Sequence, residues 1–433
     1  MRLPIFRVVV LIAACLVYVG ACDRSPPVPA AEDLRIGYWQ ATITLPGGDI
    51  ETGIEIGRSG DRYMASLING QERVRIDDVS FVGGRLKLRF PAFNNEIRAS
   101  LVDGRLEGEL TLVKRFGETQ VMPFAATPGS ESADSEGGEG TTHDLSGRWA
   151  VRFHEPDGSE TAAIGEFAQR GTRLFGTFLT PNGDHRFLAG HVRGDHFHLS
   201  TFDGAHAFIF SGEIDEDGEI FLADFWSGTA WHQNWSAERN DDVALPDAYS
   251  RTYLKPGYER LEFEFPDVAG GTVSLDDEKY QGKVVVVTIA GTWCPNCNDE
   301  ARFMSPLHKE LRDRGLEVIA LMFEHFEDHE TAATQVRRFR EKFDIEYDTL
   351  IAGVSDKQKA GEALPALSAV LAFPTTIFID RGGRVRSIHT GFAGPGTGEH
   401  HDRLQEEMRT LINSLLEEPE DLIESLASED GPS

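Results

Sequence analysis

Cysteine and basic residues are both scarce in this chain, and each shortage narrows its class. Four of the 433 residues are cysteine, namely Cys15, Cys22, Cys294 and Cys297. The first two fall in the N-terminal leader, so the body carries a single thiol pair. A body of that size without a disulfide framework is held by core burial, and its one pair is available for chemistry. Lysine and arginine total 42 against 71 aspartates and glutamates, a formal net charge of −29. That balance argues against nucleic acid or an anionic membrane face as a partner, because both require a basic patch. Hydrophobic residues at 40%, with 20 prolines and 44 glycines, describe an ordinary globular chain rich in turns. Its length suggests about three domains.

The leader begins with Arg2 and Arg7, followed by an apolar stretch from Val8 to Val19 that is too short for a comfortable membrane span. It ends Val19-Gly20-Ala21-Cys22, an apolar residue and two small ones before a cysteine, which resembles a bacterial lipobox. The resemblance implies a lipoprotein signal peptide over 1–21, with Cys22 lipidated as the first mature residue and anchoring the chain to the membrane. A plain secretory signal with an incidental cysteine is the other reading. Residues 22–34 then form a tether whose Ser25-Pro26-Pro27-Val28-Pro29 run extends about 3 Å per residue in a polyproline form. Asp23, by analogy with enteric lipoproteins, favours the inner membrane. The expected location is the bacterial cell envelope, on the periplasmic face.

Two β-rich units follow, over 35–126 and 145–240. In the first, Arg85-Leu86-Lys87-Leu88-Arg89-Phe90 alternates with period two, and Val102-Asp103-Gly104-Arg105 is a two-residue hairpin signal. The other unit repeats its landmarks as a copy would. Gly37-Tyr38-Trp39 is echoed by Gly147-Arg148-Trp149, Gly60-Asp61-Arg62-Tyr63 by Gly171-Thr172-Arg173-Leu174, and Asp103-Gly104 by Asp217-Gly218. Each unit has room for about seven or eight strands, enough for a small antiparallel barrel or a sandwich. An acidic Gly/Ser linker over 127–144 favours two barrels over one shared barrel. His185, His191, His196, His198 and His206 gather in the second unit, and His196 and His198 share a strand face. No cysteine or tight carboxylate set accompanies them, so a half-exposed polar face is preferred to a metal site.

Past a connector at 241–257 the pattern changes to α/β over 258–418, with an acidic tail at 419–433. The all-apolar run from Val284 suits a strand covered on both faces. Phe303, Leu307 and Leu311 mark a helix, Leu316 to Phe323 a second buried strand, and Val336, Phe339 and Phe343 a second helix. A strand–turn–strand from Thr375 to Thr390 and a last helix through Leu404, Met408, Leu411 and Leu415 complete a β–α–β–α–β–β–α order with a mixed sheet. Cys294 and Cys297 lie between the first strand and the first helix, where unpaired helix N–H groups favour a thiolate on the first sulfur.

Trp293-Cys294-Pro295-Asn296-Cys297, Glu300 three residues on, Phe373-Pro374-Thr375-Thr376 and Ile379-Asp380-Arg381-Gly382-Gly383 resemble a thioredoxin-fold protein. The similarity is to the TlpA/ResA-like thiol–disulfide oxidoreductases of the bacterial envelope, and it covers roughly two-fifths of the chain. It implies a redox disulfide between Cys294, the nucleophile behind Trp293, and Cys297, the resolving thiol. Pro374 would be the family's cis-proline facing the dithiol. Glu300 would accept the proton of Cys297, although a first-turn glutamate also stabilises a helix dipole. No cofactor is implied. The implied partners are disulfide-containing envelope proteins and a membrane thiol reductant. Thr288 stands where many thioredoxins bury an aspartate, Arg302 replaces a common proline, and a helical insertion is expected over Lys357 to Leu371, beside the site. Two rival readings remain: an oxidase or isomerase of the same fold, and a ligand-binding envelope lipoprotein with an accessory redox domain.

Overall fold

The computed structural model describes residues 33–76, 78–130 and 143–418. Cys22 and most of its tether, most of the linker and the acidic tail lie outside the described residues. No helix among the described residues is long and apolar enough to cross a membrane.

The first unit is one nine-stranded antiparallel sheet running from Gly37–Leu45 to Thr119–Pro128. Numbered within the unit, its strands lie in the order 4-3-2-1-9-8-7-6-5. The second unit runs from Gly147–His154 to Trp231–Arg239 in the order 2-1-9-8-7-6-5-3-4. There strands 2 and 3 also pair with each other, closing the sheet into a barrel. Each unit thus has nine strands where seven or eight were expected. Strand 4 of the second is only Gly183–Asp184, too short to show any alternation in sequence. The Asp103-Gly104 hairpin forms as expected, with Val102 opposite Arg105 and both turn residues at positive φ.

The repeat is structural. Trp39 and Trp149 are each buried on the first strand of their unit, and each donates its indole N–H to the carbonyl four residues back, Arg35 at 3.0 Å and Leu145 at 2.9 Å. Gly37 and Gly147 hold φ of +113° and +115°, a conformation that side chains rarely tolerate. The units pack together: Phe202, Ala207 and Ile209 of the second join the core of the first. Asn69 and Asn95 donate to the carbonyls of Phe202 and Gly204 at 2.9 and 2.8 Å.

The C-terminal domain is a five-stranded mixed sheet in the order Asp348–Val354, Leu316–Glu324, Val284–Ala290, Thr375–Ile379, Val385–Thr390. Every residue of the central Val284–Ala290 strand is buried, as its apolar run requires. Four helices cover the sheet: α1 (Pro295–Leu311), α2 (His329–Phe343), α3 (Lys357–Ala363) and α4 (Glu399–Glu417). Phe303, Leu307 and Leu311 are buried on α1, and Leu404, Met408 and Leu415 on α4.

Two features depart from expectation. The edge strand Asp348–Val354 escapes the sequence pattern because it is short and contains Gly353. The expected helix over 357–371 ends at Ala363, since Pro365 cannot continue it. The chain instead turns at Leu364 and pairs Leu367 with Leu254 of the connector.

Candidate active site

The central strand Val284–Ala290 ends, and the chain turns through Gly291 and Thr292 into α1. Cys294 is the N-cap of α1 and Pro295 its first residue, the position where a missing N–H costs nothing. The Cys294 Sγ accepts the backbone N–H of Cys297 at 3.2 Å and contacts the carbonyl oxygen of Phe373 at 3.3 Å. Sulfur thus occupies the capping role that a serine or aspartate oxygen usually fills. Both thiols are free and buried, Cys294 5% and Cys297 1% exposed. The Phe373–Pro374 bond is cis, and its carbonyl is what meets Cys294.

Burial first, then the hydrogen bond and charge of Cys294 and the charge of Glu300, hold the Cys297 thiol well above its ordinary range. Glu300 sits one turn further along α1, fully buried, and burial lifts its carboxyl to about 7. The hydroxyl of Thr376 donates to Glu300 Oε1 and opposes that rise. A carboxyl that titrates near neutrality beside a high-pKa thiol is suited to proton exchange with it.

A second buried carboxyl went unnoticed in the sequence. Glu324, at the end of strand Leu316–Glu324, accepts the N–H of Thr292 at 2.9 Å and its hydroxyl at 2.7 Å. Burial lifts it to about 7 as well. The only available signal was an acidic residue closing an otherwise apolar strand. Trp293 is turned sideways: its indole donates to the Phe323 carbonyl at 2.8 Å and stacks on His325 at 4.9 Å. His325 is pushed down to about 4 by burial, with Lys114 and Arg115 of the first unit adding to it. Lys357, at the start of α3, is lowered mainly by burial, then by Arg251, while the charge of Cys294 pulls the other way.

Cys294, Cys297, Pro374 and Glu300 therefore converge, and Trp293 supports them from the side. Thr288 is buried at 3% exposure on the central strand. Arg302 pairs with Asp299 at 2.6 Å. Of the second unit's histidines, His191 and His198 stack on each other across neighbouring strands, ring centroids 5.6 Å apart. His196 pairs with Asp195 at 2.5 Å and stays exposed, while His185 is enclosed by phenylalanines. Among the described residues, no three or more His, Cys, Asp or Glu side chains are grouped to hold a metal ion.

The family model described as AhpC/TSA matches residues 256–388, the part of the chain that carries this site. Thioredoxin-like protein YneN of Bacillus subtilis is 33% identical over 138 residues, which span 32% of this chain and 73% of that protein. The chain belongs to the thioredoxin-like thiol–disulfide oxidoreductase family. Thiol-disulfide oxidoreductase ResA of Bacillus thuringiensis subsp. konkukian is 30% identical over 132 residues, 30% of this chain and 68% of that one. A solved thiol:disulfide interchange protein of Chlorobium tepidum is 18% identical, with 40% of this chain and 99% of that chain covered and a TM-score of 0.28. In this chain two β units precede the matched domain.

Proposed function

We propose that the chain is an envelope protein-disulfide oxidoreductase that works through Cys294 and Cys297. One observation carries the reading: Cys294 Sγ caps α1 while touching the Phe373 carbonyl, beside a resolving thiol and a buried carboxyl that titrates near neutrality. The Cys294 thiolate attacks one sulfur of a substrate disulfide. That S–S bond breaks, a Cys294–substrate bond forms, and the departing sulfur keeps the electron pair and takes up a proton. Cys297 then gives its proton to Glu300 and attacks Cys294 Sγ; the Cys294–substrate bond breaks, and the second substrate sulfur leaves as a thiolate that takes up a proton from Glu300 or water. Two electrons and two protons reach the substrate, and Cys294–Cys297 is left as a disulfide. A thiol reductant at the membrane restores the dithiol by the reverse exchange.

The expected substrates are disulfide-containing exported proteins, because the leader directs the chain to the envelope and Cys22 offers a lipid anchor. Fatty-acid labelling that marks Cys22→Ala as strongly as the wild type would remove that anchor. The direction of flow is read as reductive. A potential near about −270 mV agrees with it, and one near about −120 mV makes the protein an oxidase instead.

The decisive experiment is covalent trapping. With Cys297→Ser the mixed disulfide on Cys294 cannot be resolved within the body, so the variant, expressed in its native envelope, accumulates partners that reductant releases. If no such adducts form, and Cys294→Ser still reduces insulin, the mechanism is wrong.

A further inference from the structure

Of the two residues between the cysteines, Asn296 is held by another part of the chain. Asn296 is buried, at 8% exposure, and its carboxamide nitrogen donates to Asp184 Oδ1 at 2.7 Å and to the Phe392 carbonyl at 2.8 Å. Both partners are acceptors, which fixes the orientation of the amide, and its two N–H groups are thereby fully used. Asp184 belongs to the second β unit, on the two-residue strand Gly183–Asp184.

That strand is built onto the active site. Asp184 Oδ1 also accepts the Gly394 N–H at 2.7 Å, and its Oδ2 accepts the N–H of Arg186 at 2.9 Å. Arg186 is itself buried, and its guanidinium meets Asp299 of α1, Glu72 of the first unit at 3.1 Å and Asp203 of the second at 3.4 Å. The approach is backbone-close. A Cβ on Gly183 would lie 2.7 Å from the Asn296 nitrogen, and one on Gly391 2.8 Å from the Asn182 carbonyl carbon. Arg251 of the connector donates to the Pro181 carbonyl and to Asn182 Oδ1 at 3.1 Å, bracing the turn.

We propose that Asp184 is a positioning residue for the dithiol, keeping the Asn296 amide away from sulfur and so disfavouring the reduced form. An amide N–H released from Asp184 is free to donate toward sulfur or solvent. A donor reaching a thiolate stabilises the reduced state, as hydrogen bonds to a charged form do generally. The second β unit thereby contributes to the redox poise of a site whose reacting atoms all lie in the C-terminal domain. This rests on the proposal that Cys294 and Cys297 are a redox pair.

The test is equilibration of the full-length chain with glutathione buffers at pH 7.5, reading the fraction of Cys294–Cys297 disulfide by thiol alkylation. Asp184→Ala is expected to shift the equilibrium constant at least threefold toward the dithiol, and Asp184→Asn in the same direction by less. In an Asn296→Ala background Asp184→Ala is expected to add nothing, because the group it acts through is gone. Thermal melts identify variants that fold, and should Asp184→Ala fail to fold, Asp184→Asn and Asn296→Ala carry the comparison. No shift in the folded variants, a shift toward the disulfide, or full additivity with Asn296→Ala overturns the proposal. A wild-type chain that never equilibrates with glutathione instead overturns the underlying redox reading.

Discussion

Thr376 donates its hydroxyl to Glu300, joining the strand that follows Pro374 to the active-site helix one turn beyond Cys297. The bond stabilises the ionised carboxyl, and burial outweighs it, leaving Glu300 at about 7. If Glu300 takes the Cys297 proton, the resolving step slows below pH 7 as the carboxyl fills. Glu300→Gln should remove that acidic limb and slow release of a mixed disulfide at pH 8 by roughly a hundredfold. Thr376→Val removes the stabilising donor, so the limb should move to higher pH while the plateau survives. Stopped-flow release of a labelled peptide from Cys294 measures both. A limb that persists in Glu300→Gln assigns the proton to another group.

Glu324 makes a second prediction, read as stability. Its folded pKa of about 7 exceeds the 4.5 of an unperturbed glutamate, so between those values the folded state binds the extra proton. Stability from this group is full below about pH 4.5, falls as pH rises to about 7 and is level above. Four histidines, His185, His191, His325 and His389, are held at about 4 by burial and drive the opposite trend between pH 4 and 6.5. Only the difference between wild type and Glu324→Gln is therefore diagnostic. Relative to the variant, the wild type should lose about 3 kcal/mol over that window. Urea titrations across the pH range check it, and a pH-independent difference would sink the assignment.

The contacts between units differ in expected strength. Arg115 of the first unit pairs with Asp356 of the redox domain at 2.5 Å, but both side chains are substantially exposed. Arg115→Ala should cost less than about 1 kcal/mol. Asn69 is buried, donating to the Phe202 carbonyl and accepting the Thr52 hydroxyl at 3.0 Å. Asn69→Ala takes the donor from the buried Phe202 carbonyl, while Thr52 keeps its bond to the Ile68 carbonyl at 3.1 Å, and should cost about 1–3 kcal/mol. Differential scanning calorimetry of the two variants separates them. Equal losses would mean that burial does not rank these contacts.

The candidate site could be assembled from the sequence because its parts are local: Cys294 caps the helix that carries Cys297 and Glu300, and Pro374 has its own flanking pattern. The β repeat was legible through Gly37-Tyr38-Trp39 and Gly147-Arg148-Trp149, whose glycines and tryptophans keep the same jobs. What escaped is non-local. Nothing adjacent to Asp184 marks it as a partner for a residue 112 positions away, and Glu324 reads as an ordinary strand end. The stop after Ala363 could have been read from Pro365, but the strand Asp348–Val354 is half-covered and interrupted by glycine, so periodicity says little about it.

The repeated tryptophans allow a comparison within one molecule. Trp39→Phe and Trp149→Phe remove the same atoms and the same indole donor, but the carbonyls they leave differ. The Trp149–Leu145 bond is buried, so its acceptor is stranded, whereas the Trp39–Arg35 bond is only partly buried and water can replace the donor. Arg239 also lies over the Trp149 ring, 4.7 Å from its centroid, and a smaller ring weakens that contact. Trp149→Phe should therefore destabilise its unit by about 2–4 kcal/mol, and Trp39→Phe by about 1–2 kcal/mol. Hydrogen exchange of the strand amides in each unit reads the two losses separately within the intact chain. If Trp39→Phe proves as costly as Trp149→Phe, the energy lies in the lost ring volume common to both sites, and the stranded carbonyl contributes little.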